Sequence, residues 1–198
     1  MGRFLVGITG GMASGKSTVV RWLGEAGFQV VDADRIVAEL YAPGGKGAAA
    51  VRELFGDGTL KEDGSVDHPA VAAIVFADPA ARKRLEAAIH PLVHQRFAEI
   101  AAAATGVVVY EATLLVESGG YRAFDLVLSV EAPEDRRLEW AIARGMDEAA
   151  ARSRLEAQGD GAERRARAHR ILENDGSLDD LRGKVDVLVA ELRDREAE

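Results

Sequence analysis

The stretch Gly10-Gly11-Met12-Ala13-Ser14-Gly15-Lys16-Ser17 constrains this chain more than any other. It fits the spacing G-x-x-x-x-G-K-[ST] of a phosphate-binding loop, or P-loop. The apolar run Phe4–Thr9 before it reads as a buried strand, and Thr18–Leu23 after it reads as the start of a helix. Strand, glycine loop and helix together form an anion site. Glycines let backbone N–H groups converge on a charge, and the helix points its positive end at the same place. The backbone and side chains of Gly11, Met12, Ala13, Ser14, Gly15, Lys16, Ser17 and Thr18 are therefore expected to bind a nucleotide's phosphates. Lys16 would reach the β- and γ-phosphates as a catalytic cation, and Ser17 would hold Mg²⁺.

The rest of the chain alternates. Helix one should run from Lys16 to Ala26, and Phe28–Asp32 reads as a second strand. A helix over 35–41 follows, broken at Pro43-Gly44-Gly45. Residues 46–104 carry almost no strand signal and read as helices near 46–55, 69–76, 78–89 and 91–104, with a boundary at His90-Pro91. Strands return at Val107–Tyr110, Leu126–Val130 and Arg170–Glu173, and Ser177 can cap a last helix. This order predicts an α/β fold: a P-loop NTPase-type, doubly wound parallel sheet. The chain is read as a single domain over 1–198. Its core covers about 1–45 and 105–198, with an inserted helical block at about 46–104 and an arginine-rich lid at about 144–167.

Bulk properties narrow the function. A net charge of −8 argues against general binding of nucleic acid or a membrane surface. There is no cysteine, which excludes disulfides and thiolate metal sites and fits a reducing, cytoplasmic setting. No apolar run is long enough to span a bilayer, and the first residues read as strand rather than signal peptide. A monomer or small homo-oligomer acting on small molecules is the expectation.

In open α/β sheets the site lies beyond the carboxyl ends of the strands. Asp32, Asp34 and Glu111 fall at such ends. On an extended strand end the two aspartates of Asp32-Ala33-Asp34 would face one side. Asp34 could accept a proton from an attacking hydroxyl, and Asp32 could touch substrate or hold Mg²⁺ through water. An ordinary helix N-cap is the plainer reading of the same residues. Nine arginines crowd 136–170. Most should form a solvated, salt-bridged face, but transfer of a phosphoryl group needs cations over it. Arg144, before Gly145, is the first candidate for a catalytic lid residue, and Arg137 the second, as a nucleotide contact. His90 and His94 lack a third ligand, so His90 reads as a helix boundary or substrate contact. Asn174-Asp175-Gly176 is a turn after the last strand, placed to meet an adenine edge.

These residues resemble the dephospho-CoA kinase family along nearly the whole chain. The resemblance is carried by the P-loop with its second glycine, Asp32-Ala33-Asp34, Leu85-Glu86 with His90-Pro91, Leu114-Leu115-Val116-Glu117, Arg144, Gln158 and Asn174-Asp175-Gly176. The family usually has glycine at Ala13, proline at Thr113 and Ala-Asp at Ala168-His169. The resemblance implies ATP as donor, Mg²⁺ as cofactor and the ribose 3′-hydroxyl of dephospho-CoA as acceptor, in the last step of coenzyme A synthesis. It places His90, Leu115 and Glu117 with the acceptor and Asn174 by the adenine. The residues alone reach a P-loop kinase of a small acceptor. A nucleoside monophosphate, a sugar acid, or a non-catalytic ATP-binding switch remain alternatives on that evidence.

Overall fold

A computed structural model describes residues 3–197. Its strands are β1 (Phe4–Gly10), β2 (Gln29–Asp32), β3 (Val107–Glu111), β4 (Leu126–Glu131) and β5 (Arg170–Glu173). They form one sheet in the order β2-β3-β1-β4-β5. β1 runs parallel to both β3 and β4, and β4 runs parallel to β5. From β1 the chain goes first to one side of the sheet and later to the other, so the switch point lies beside β1. The central strands β1, β3 and β4 are near-continuous apolar runs, as sheets covered on both faces require. The expected fold class is the observed one.

The residues separate into two compact units, one reaching to Val31 and resuming at Ala104, the other Asp32–Ala103. In the first, side chains alternate across the sheet. Val6, Ile8, Val107, Val109, Leu128 and Val130 pack with α1 (Lys16–Glu25) and α9 (Leu178–Ala197) through Val19, Leu23, Leu181, Val185 and Leu188. On the other face Gly7 leaves room for Leu115: a Cβ there would lie 2.7 Å from the leucine's Cδ2 and 2.9 Å from the Phe124 ring. Ser177 caps α9 as expected. Its hydroxyl accepts from the Asp180 N–H at 3.1 Å and donates to the Asp180 carboxylate at 2.7 Å. Three further helices, α6 (Glu134–Ala143), α7 (Glu148–Gln158) and α8 (Ala162–Arg167), lie between β4 and β5 in the chain.

The second unit is helical: α2 (Ala33–Tyr41), α3 (Lys46–Phe55), α4 (His68–Ala77) and α5 (Pro79–Ala103). Two boundaries differ from those read in the sequence. Helix α2 groups with this unit, because it packs on α3 and α5. Residues 78–104 are not two helices but one, with Pro91 inside it. An internal proline removes a backbone bond at a cost near 3 kcal/mol. Ile89, Val93, Phe97 and Ala101, buried at four-residue spacing, carry one packed stripe straight across Pro91. That burial outweighs the local break.

Leu128 is fully buried at the middle of β4. Leu128→Ala should lower the unfolding free energy by about 2–5 kcal/mol in denaturant titrations, as cavity-forming core truncations do.

Candidate active site

The glycine loop is built by close approach. A Cβ on Gly10 would lie 2.5 Å from the Val130 carbonyl oxygen. One on Gly15, where φ is +98°, would press on the Asn174 amide nitrogen, and one on Gly11 would press on the Arg137 guanidinium. Ala13 holds a left-handed φ of 58°. The Ser14 N–H turns back to the Gly11 carbonyl at 3.1 Å. The N–H groups of Ala13, Gly15, Lys16 and Ser17 find no protein acceptor among the described residues. The Ser14 hydroxyl is buried without a partner among the same residues. Unpaired donors at a helix N-terminus are a cradle for an anion.

Lys16 meets Glu111 at this cradle, with Nζ 2.5 Å from Oε1. Both side chains are only about one-seventh exposed, at 14% and 15%. Register explains the meeting. Glu111 ends β3 opposite Ile8 of β1, so its carboxylate emerges beside the loop that β1 feeds. Sequence reasoning noted Glu111 as a strand end and gave it no role. The signal available was its place at the end of the strand next to β1, where P-loop enzymes keep a metal-binding carboxylate.

Arginine side chains close the loop from the side. Arg137, on α6, is 5% exposed; its Nε donates to the Met12 carbonyl at 2.9 Å and its Nη2 to the Gln158 Oε1 at 3.0 Å. The same Gln158 oxygen accepts the Met12 N–H at 2.8 Å. Burial, and then the positive charge of Arg164, lower the Arg137 pKa, while Glu131 and Glu134 oppose that shift. Arg164, on α8, is buried to 3% exposure, with Nη1 3.2 Å from Glu117 and Nε 3.5 Å from Glu131. Glu131 also accepts from the Ser129 hydroxyl at 2.6 Å. The surrounding arginines behave as a solvated face: Arg152 pairs with Glu148, and Arg170 with Glu191.

A cavity of about 390 Å³ adjoins the loop, lined by Thr18, Arg136, Trp140, Arg144, Asn174 and Leu178 among others. Its size and its mix of apolar walls with a few polar groups suit a nucleobase. Arg144 caps α6 and is exposed at this cavity. Asn174 is buried, and its Nδ2 donates to the Ser14 carbonyl at 2.9 Å. That N–H is thus committed to the loop's shape, so reading a base edge with it would require giving this bond up. Arg136 donates to the Gly176 carbonyl at 2.7 Å and holds the turn against α6.

The other expected site residues fall as follows. Asp32 and Asp34 do not share a strand face. Asp32 is the N-cap of α2, its carboxylate accepting the Asp34 N–H at 2.8 Å, and Asp34 lies exposed in the helix's first turn. The helix starts at Ala33, two residues before the expected start at 35, because Asp32 caps it there. His90 lies mid-helix rather than at a boundary, its ring 6.5 Å from that of His94. No group of three His, Cys, Asp or Glu suited to a metal occurs among the described residues. Leu115 is turned into the core against Gly7, and Leu114 is the exposed member of the pair at 58%. The side chain of Leu115 is therefore spent on packing rather than on a ligand. Glu117 is the partner of Arg164. His169 accepts the Val127 N–H on Nδ1 at 2.9 Å and so fixes the start of β4.

Known proteins resemble this chain along nearly its whole length. A family model described as dephospho-CoA kinase matches residues 4–180. The dephospho-CoA kinase of Streptomyces avermitilis is 44% identical over 190 residues, covering 94% of this chain and 93% of that one. Among solved structures, TT1252 from Thermus thermophilus is 34% identical with a TM-score of 0.83, covering 97% of this chain and 99% of that one. The dephospho-CoA kinase from Campylobacter jejuni, at 23% identity, shares the fold with a TM-score of 0.64 over 96% of this chain and 97% of its own.

Asn174→Ala leaves the buried Ser14 carbonyl without its donor. We expect a loss of about 1–3 kcal/mol in unfolding free energy, the cost of an orphaned buried acceptor, measured by chemical denaturation.

Proposed function

The chain belongs to the dephospho-CoA kinase family, which phosphorylates dephospho-CoA with ATP in coenzyme A biosynthesis, and from that premise we propose which of its residues perform the transfer. The γ-phosphate of ATP would pass to the ribose 3′-hydroxyl of dephospho-CoA. The observation that carries the assignment is the contact of Lys16 with Glu111 at a loop where the N–H groups of Ala13, Gly15, Lys16 and Ser17 have no acceptor among the described residues.

The chemistry asks for positioning and charge more than for covalent help. Glu111 neutralises Lys16 at the loop. A polyphosphate entering the cradle offers Lys16 several oxygens and the free amides a shared anion, so the lysine exchanges one carboxylate for the β- and γ-phosphates. Glu111 is then left facing the phosphates beside Ser17, whose hydroxyl is exposed at the start of α1. Oxygen donors of this kind suit a hard divalent cation. Bound Mg²⁺ would neutralise charge on the phosphates; Ser17 and Glu111 would hold it, and Asp32 would contribute through water. The cavity lined by Trp140 and Leu178 would take the adenine, and Arg144 would meet phosphate oxygens from its rim. Asp34 would orient the acceptor hydroxyl and take its proton late, as a loose transition state allows. His90 and Glu117 are proposed to serve the acceptor side, Glu117 partly by fixing Arg164. The proposal includes a cytoplasmic setting and a monomer or small homo-oligomer. No helix among the described residues is long and apolar enough to cross a membrane.

Two variants test these roles. Lys16→Met should fold normally by circular dichroism and lose at least about a hundredfold in kcat for dephospho-CoA, the scale for removing one charged partner of the transition state. Retained kcat would take the P-loop lysine out of the mechanism. Asp34→Asn keeps the shape and removes the base. It should lower kcat at least about tenfold and leave the KM for ATP within about twofold. A change in the KM for ATP alone would assign Asp34 to the nucleotide instead.

A further inference from the structure

We propose that Gln158 is a positioning residue for the transfer: its side-chain carbonyl sets the arch of the P-loop and ties that arch to the arginine-bearing segment after α7. The inference rests on the reading of this loop as the ATP phosphate site.

Three hydrogen bonds close a ring around one residue. The Met12 N–H and the Arg137 Nη2 both donate to Gln158 Oε1, at 2.8 and 3.0 Å, and the Arg137 Nε donates to the Met12 carbonyl at 2.9 Å. Met12 thus has both backbone polar groups held by side chains from α6 and α7. A carboxamide oxygen has two lone pairs, and here each has a donor. Lysine or arginine at 158 would bring donors to a place that needs an acceptor, whereas glutamate would serve.

The ring acts on the next residue. In a trans peptide the C=O and the following N–H point to opposite sides. Fixing the Met12 carbonyl on Arg137 therefore sends the Ala13 N–H away from Arg137, and that N–H has no protein acceptor among the described residues. Ala13 itself stands at φ 58°. A left-handed conformation is unfavourable for alanine, so local preference does not shape this arch. Its neighbours must impose it, and Gln158 and Arg137 are the side chains that grip it. Glycine, with its left-handed freedom, would need less holding.

Gln158 also stands at a joint. It is the last residue of α7, and Gly159 and Gly161 follow with φ of 64° and 73°. Beyond them Arg164 is fixed by Glu117 and faces Glu131. A shift of this segment acts on Met12 through Gln158, and a phosphate settling on the arch acts on the segment by the same route. Gln158 would not touch the reacting atoms; it acts through Met12 and Arg137.

The test compares wild-type enzyme, Gln158→Met and Gln158→Glu by ATP calorimetry, steady-state kinetics with dephospho-CoA and thermal melting. Hydrogen exchange is also followed at the Met12 amide of the nucleotide-free wild type. The account expects a protected Met12 amide. It expects Gln158→Met to bind ATP about tenfold more weakly and to lose kcat, the scale of two net hydrogen bonds, with a melting temperature within a few degrees of wild type. It expects Gln158→Glu to recover most of both. Wild type that binds no ATP would overturn the P-loop reading and this inference with it. Wild type that binds while Gln158→Met matches it would overturn this inference alone. So would a freely exchanging Met12 amide, a Gln158→Glu chain as impaired as Gln158→Met, or losses that follow a collapse in melting temperature, which would assign Gln158 to the fold.

Discussion

Gly10, Gly11 and Gly15 have no room for one more carbon, and much of the site follows from that exclusion. The Val130 carbonyl, the Arg137 guanidinium and the Asn174 amide occupy the space that a Cβ would take. These neighbours come from β4, α6 and the turn after β5, so the loop's shape is fixed by parts of the chain more than a hundred residues away. In exchange the loop presents the amide groups of Ala13, Gly15, Lys16 and Ser17, which no acceptor among the described residues takes. The sheet supplies the rest of the frame: β1 delivers the loop, β3 delivers Glu111 beside it, and β4 braces it from the other side.

The cations around the loop are each held by a specific partner. Lys16 is neutralised by Glu111, and the buried guanidinium of Arg164 by Glu117 and Glu131. Removing one member of a buried pair is costly, because the survivor keeps its desolvation penalty. Arg137 spends its donors on a backbone carbonyl and on Gln158 rather than on a carboxylate, so it shapes the loop while keeping its positive charge beside it.

Much of this was legible in the sequence where the signal is local. The glycine loop, the apolar strand runs, the Ser177 cap and the helical character of 46–104 all follow from residues near one another. The misses share a cause. Pro91 reads as a break because the stripe Ile89-Val93-Phe97-Ala101 matters only once other helices pack on it. Leu114 and Leu115 are identical in sequence, and only the space left by Gly7 decides which turns inward. Two of the arginines between 136 and 170, Arg137 and Arg164, are buried, and no local spacing marks them out from their solvated neighbours. Glu111 and Gln158 have positions set by partners far along the chain, at Lys16 and Met12.

The central claim is that this site moves phosphate from ATP to dephospho-CoA. The most direct measurement offers the enzyme γ-labelled ATP with dephospho-CoA, AMP and a sugar acid together, and follows where the label goes. The account predicts label on the ribose 3′-hydroxyl of dephospho-CoA, well ahead of the other acceptors. Faster labelling of AMP or the sugar acid, or release of label as inorganic phosphate alone, would contradict it.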